Sequence, residues 1–173
     1  MDDNVPRSVT KPDGRIITLA RRSEIKQLWR AGALALDVRD QTEVDASKGG
    51  RSSACALHVP INVEGAPQSA HATTLTEWTS KLRAAGVDIE RPSTAFVVHC
   101  TGGGRAENAV TMLQKLGFTA VNGGGPDDVR RCFEEAAQAH SRAMVWAATV
   151  TLVVALAVGA ARRVVLSRNG SKQ

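Results

Sequence analysis

The residues best suited to do chemistry in this chain are Cys100-Thr101-Gly102-Gly103-Gly104-Arg105. Cys100 ends the apolar run Ala95–His99, which reads as a buried strand. A helical pattern follows from about Arg105 to Leu116, with Gly117 as its stop. A thiol between a strand end and a helix N-terminus meets unpaired backbone N–H groups and the positive end of the helix dipole. Both favour the thiolate, the nucleophilic form of the sulfur. The three glycines let the backbone curl and turn N–H groups inward, a nest suited to a sulfur anion or an oxyanion. Arg105 brings the one formal positive charge of the loop.

The elements that must hold this loop alternate. Ile16–Leu19 reads as a short strand, and Ser23 caps a helix reaching about Ala31, stopped by Gly32. Ala33–Val38 is a continuous apolar run of the kind buried in parallel sheets. Residues 46–54 and 62–73 read as loops around a short strand, Ala56–Val59. Thr74 or Thr76 caps a helix to Ala85, and Thr119–Val121 is the last strand. Pro126 opens a helix whose apolar face is Val129, Cys132, Phe133, Ala136 and Ala137. This alternation predicts a doubly wound α/β fold, a parallel sheet with helices on both faces.

The net charge of +5 and pI of 9.6 suggest a polyanion partner, but their distribution does not. Residues 1–141 carry 17 basic and 17 acidic residues, and the whole excess lies in residues 142–173. With a neutral body, few aromatics and no Tyr, nucleic-acid binding is not expected. Residues 143–161 are 19 residues without a charge, an amide or a proline, followed at once by Arg162 and Arg163. As a helix they reach roughly 28 Å, the thickness of a bilayer's hydrocarbon core. They are expected to form a single-pass C-terminal anchor in a lipid bilayer, with 162–173 as a short basic tail and the catalytic domain in the cytosol. Ala155 and Gly159 form a small-xxx-small pair through which two anchors could associate. Residues 1–14 lack the apolar core of a secretory signal and read as a flexible arm. The three cysteines, Cys55, Cys100 and Cys132, do not make a disulfide scaffold and suit a reducing compartment.

Four segments resemble the rhodanese-like sulfurtransferases. Leu36-Asp37-Val38-Arg39 with Glu43 looks like that family's LDVRxxxE segment, and Ala56-Leu57-His58-Val59-Pro60 is similar to its GALHIP-type strand. Cys100 to Ala106 fits CxxGxR[SA], and Leu113 to Gly125 resembles the helix–strand–Gly ending. The resemblance spans about residues 15–135, and the domain is expected to occupy 15–140. It implies a rhodanese-like doubly wound parallel sheet. It also implies a cysteine that takes sulfane sulfur from a small donor as a persulfide and passes it to cyanide, a thiol or a protein acceptor. On this reading Cys100 is catalytic. Thr101, Gly102, Gly103, Gly104, Arg105 and Ala106 form the substrate-binding loop, and Asp37 and Arg39 give support, either as an ion pair bracing the loop or as a surface pair. Thiosulfate-using members of the family often carry cations in the loop where this chain has Thr101 and Gly102. His99 and His58 read as packing residues, and Cys55 and Cys132 as inert core residues. No metal or cofactor is expected.

Two other functions fit parts of the pattern. A cysteine-dependent phosphatase or arsenate reductase holds five residues between Cys and Arg, making room for a tetrahedral oxyanion. Only four, Thr101 to Gly104, stand here, which suits a single sulfur atom. A membrane-anchored binding module without activity is the other alternative.

Overall fold

The computed structural model describes residues 2–47, 57–63 and 73–146. The chain divides into two compact units, Met1–Ala136 and Ala137–Gln173. In the first, four parallel strands form one sheet in the order β4 (Leu57–His58), β3 (Leu34–Asp37), β5 (Phe96–His99) and β6 (Ala120–Gly124). The chain leaves β3 for β4 on one side, then crosses to β5 on the other. The crevice beyond the carboxyl ends of β3 and β5 is therefore the topological switch point, where open α/β sheets bind their ligands.

Strand alternation sends successive side chains to opposite faces, and a separate core covers each face. On one, Leu36, Val38, Phe96, Val98 and Cys100 pack with residues of α3 (Leu75–Ala84) and α4 (Gly104–Lys115), among them Trp78, Leu82, Ala106, Ala109 and Leu113. Trp78 is fully buried, and its indole N–H reaches the Val59 carbonyl at 3.4 Å. On the other face, Ala35 and Val97 pack with Ile25 of α1 (Arg22–Arg30) and with Val129, Cys132 and Phe133 of the last helix, residues 126–146. The expected doubly wound sheet is what forms. Thr74 is the cap of α3, pairing reciprocally with Glu77. The N-cap of α1 is Arg21 where Ser23 is expected, because the helix begins a residue before the serine.

Two elements depart from the sequence expectation. Residues 7–10, placed in a flexible arm, form β1 (Arg7–Thr10), antiparallel to β2 (Ile16–Leu19). The hairpin is anchored because β2 buries Ile17 and Leu19, the Ala20 N–H donates to the Asn122 carbonyl at 2.7 Å, and Arg7 pairs with Asp128 at 2.7 Å. A short helix, α2 (Gln41–Ala46), follows β3.

In the second unit, residues 137–146 are helical and Met144, Val145 and Trp146 are exposed. Among the described residues no helix is long and apolar enough to cross a membrane. The expected span lies outside the described residues from 147 onward, as do the basic tail, the Ala155/Gly159 pair, Cys55 and most of the 46–54 and 62–73 loops.

Candidate active site

The chain places Cys100 at the mouth of the switch point. Its backbone N–H donates to the Gly124 carbonyl at 3.1 Å, extending the β5–β6 pairing past the end of β5. Residues 101–103 then turn the chain into α4. Gly103 is the N-cap, with φ +84, and its N–H donates to Cys100 Sγ at 3.1 Å. That backbone favours glycine, and a Cβ there would lie 2.9 Å from Leu19 Cδ2. Gly103 rests directly on the hairpin, and the turn can close on the sulfur there only because the residue has no Cβ. Asn122 fastens the same turn. Its side-chain amide donates to the Gly103 carbonyl at 3.0 Å, and its carbonyl oxygen accepts from the Gly124 N–H at 3.1 Å.

A cavity of about 300 Å³ opens over this turn, lined by Lys11, Arg15, Cys100, Thr101, Gly102, Gly104, Arg105 and Asn108. Five of the expected loop residues thus meet there. The other two serve the loop from behind: Gly103 faces Leu19, and Ala106 is fully buried in the core beside Cys100. Arg105 does not present a free charge. Its guanidinium grips Glu43 with two bonds, Nη1 to Oε2 and Nη2 to Oε1 (2.7 Å), and reaches Asp40 at 3.3 Å. Hydrogen bonding to Arg105 holds the Glu43 carboxyl well below its usual range, at about 2, against the opposing effect of burial. Glu43 also accepts from the Thr101 hydroxyl at 2.9 Å. The loops after β3 and β5 are thereby tied by one bidentate pair, whose fork geometry fixes both.

Asp37 and Arg39 do pair, in a buried site. Arg39 donates from Nη2 to Asp37 Oδ2 at 2.6 Å, and both side chains are almost wholly buried. Asp37 lies on the sheet face opposite Cys100, beside His99, whose Nδ1 is 3.8 Å away. Burial works against the Asp37 carboxylate, but the hydrogen bonds and charge of Arg39 keep its pKa below the usual value. The pair braces the end of β3, and the loop itself is braced by Glu43, Asp40 and Asn122. His99 is fully buried, and neither ring nitrogen has a hydrogen-bond partner among the described residues. Burial pushes its pKa down to about 4, so the ring is neutral. Cys132 is buried too, and burial pushes its thiol up. Neither shares the cavity of Cys100. His58 bonds the Arg39 carbonyl at 2.8 Å.

The residues that sequence reasoning leaves out are Lys11, Arg15, Asp40, Asn108 and Asn122, together with the part played by Glu43. Two local signals bear on four of them. Pro12-Asp13-Gly14, between Ser8-Val9-Thr10 and Ile16-Ile17-Thr18, is a turn sequence flanked by strand formers. Asp40 and Glu43 have the spacing of a helix-opening acid pair.

The arrangement can hold a sulfur anion against an inward N–H at the head of a twelve-residue helix, with Cys100 itself 2% exposed beneath the cavity. No curated protein and no solved structure matches the chain. A family profile, the rhodanese-like domain, matches residues 22–125. That span begins at α1 and ends just past β6, taking in the whole parallel sheet and the cysteine loop. The chain belongs to the rhodanese-like domain family.

Proposed function

We propose that this protein is a sulfurtransferase in which Cys100 carries the transferred sulfur. The observation that carries this reading is the Gly103 N–H held 3.1 Å from Cys100 Sγ at the floor of an open cavity. In the first step the Cys100 thiolate attacks the sulfane sulfur of a donor such as thiosulfate. A new S–S bond forms to Sγ, the donor's S–S bond breaks, and sulfite leaves with the electron pair. In the second, cyanide or a thiolate attacks the terminal sulfur of the persulfide. Cys100 then leaves as thiolate, giving thiocyanate or a new persulfide. Neither step changes the overall oxidation level, so neither needs a redox partner. The inward N–H at the head of α4 faces Sγ, where negative charge resides in the attacking thiolate and returns when Cys100 leaves in the second step. The four-residue spacing between Cys100 and Arg105, with Arg105 held by Glu43 and Asp40, favours this over phosphoryl chemistry, where the arginine must face the oxyanion.

The domain works at a membrane on this reading, anchored through residues 143–161 with its thiol in the reducing cytosol. The uncharged run supports this, as does the exposure of Met144, Val145 and Trp146 at its start. The test uses the full chain and its Cys100→Ala variant with thiosulfate and an organic persulfide as donors, and carbonate extraction of native membranes. Transfer by wild type alone, and retention of the chain in the extracted membrane, is the expected result. Equal inactivity of both proteins, with function in the cell intact in Cys100→Ala, would make the domain a binding module.

A further inference from the structure

The charges around Cys100 do not balance within the segment that matches the family profile. Arg105 is opposed by both Glu43 and Asp40, so residues 22–125 present one positive and two negative charges at the loop. A small anionic donor approaching the Cys100 thiolate would meet net repulsion. Two more cations line the same cavity, and both come from the β1–β2 turn, outside the matched segment.

Lys11 reaches across the loop and donates from Nζ to the Gly102 carbonyl at 3.0 Å, which among the described residues leaves two of the three ammonium donors uncommitted. Its aliphatic end lies 3.2 Å from where a Cβ of Gly104 would stand, so it covers the glycines closely. The Arg15 guanidinium has no ion-pair or hydrogen-bond partner among the described residues. Asp13, in the same turn, turns its carboxylate to the backbone N–H of Arg15 at 3.0 Å. The hairpin is a fixed support, with Leu19 under Gly103 and Gly124 and the Ala20 N–H bound to the Asn122 carbonyl.

We propose that Lys11 and Arg15 form an anion-binding subsite that holds the charged end of the sulfur donor, a sulfonate in particular, while its sulfane sulfur meets Cys100. The inference rests on the sulfurtransferase reading for the identity of the ligand, but not for the existence of the subsite. In the transfer step sulfite leaves from this subsite with the electron pair of the broken S–S bond, its anionic end held as firmly as it was in the bound donor. The hairpin thus supplies the cations that the loop lacks at Thr101 and Gly102, and makes this chain selective for anionic donors over neutral ones.

The experiment compares full-length wild type with Lys11→Gln, Arg15→Gln and the double variant, and with Lys11→Arg as the conservative control. Sulfate, a dianion with no sulfur to transfer, is titrated against each at constant ionic strength, with thermal melting as readout. Kinetics then follow with thiosulfate and with a neutral dialkyl trisulfide, whose central sulfur the Cys100 thiolate attacks, releasing an alkylthiolate that serves as the readout and leaving an alkyl trisulfide on Cys100. Sulfate should raise the Tm of wild type and Lys11→Arg but not of the double variant. For thiosulfate, each Gln substitution should raise KM roughly tenfold, as expected for a charge-assisted contact at a solvent-exposed site, with kcat little changed. The salt dependence of kcat/KM should weaken, and the trisulfide rate should stay the same. An equal sulfate shift in all variants, or an equal loss with both donors, would overturn the subsite. If wild type binds sulfate through these residues yet takes sulfur from no donor, the subsite stands and the transfer reading fails.

Discussion

His99 and Cys100 are neighbours in sequence at the end of one strand, and the sheet sends them to opposite worlds. Cys100 meets an open cavity bordered by a glycine turn, two cations and a bidentate ion pair. His99 is sealed with Asp37 and Arg39 on the other face, neutral and, among the described residues, without a hydrogen bond to either nitrogen. Both regions are rich in ionisable groups, yet only one is built to exchange them with solvent. A cluster of titratable residues becomes a site when it has an opening and a charge left over, and a brace when it has neither. The Asp37–Arg39 pair satisfies itself, whereas Lys11 and Arg15 keep donors to spare.

Substitutions on the two sides should therefore separate activity from stability. Cys100→Ser should abolish sulfur transfer completely while costing about 1 kcal/mol or less of stability, because the serine oxygen can accept the Gly103 N–H; kinetics and melting on the same preparation check this. Asp37→Ala should do the reverse, lowering stability by about 3–5 kcal/mol because it leaves Arg39 buried and unpaired. Its residual folded fraction should still load sulfur at Cys100, as chemical denaturation with a persulfide assay would show.

Smaller effects sharpen the contrast. Glu43→Gln loses the charge that clamps Arg105 and should cost about 2 kcal/mol at neutral pH. In wild type the depressed Glu43 carboxyl contributes stability that is present above its unfolded value of 4.5 and lost as pH falls towards about 2. Melting curves across that window should steepen for wild type relative to Glu43→Gln. His99 follows the same sign at a higher pH. Its folded value of about 4 lies below the unfolded 6.5, so the unfolded chain binds the proton first and stability falls as pH drops between them. His99→Leu should change little at neutral pH and flatten the profile between those two values.

Much of the frame is legible in the sequence because burial writes it there. Ala95–Val98 and Ala33–Leu36 are apolar throughout, as strands covered on both faces must be, and Val129, Cys132, Phe133 and Ala136 mark one helix face. Cys100 and its glycines are legible because a sulfur anion at a helix head demands them. What the sequence hides is contact across distance. Lys11 lies 91 positions from the Gly102 carbonyl it binds, and Glu43 lies 62 from Arg105. Their spacing follows from the fold, with no local pattern to announce it. The same holds for Asn122, a polar residue in an otherwise apolar strand, whose purpose appears only once β6 lies beside the loop. Asp37 and Arg39 were open to two readings because two residues along a strand end can face either water or protein.

The most direct measurement is the mass of the Cys100 peptide from the full-length protein after exposure to a sulfane-sulfur donor, before and after cyanide. The account predicts one added sulfur atom on Cys100, none on Cys132, and its quantitative release as thiocyanate. An unmodified Cys100 with every donor, or sulfur added equally to Cys132, would contradict it.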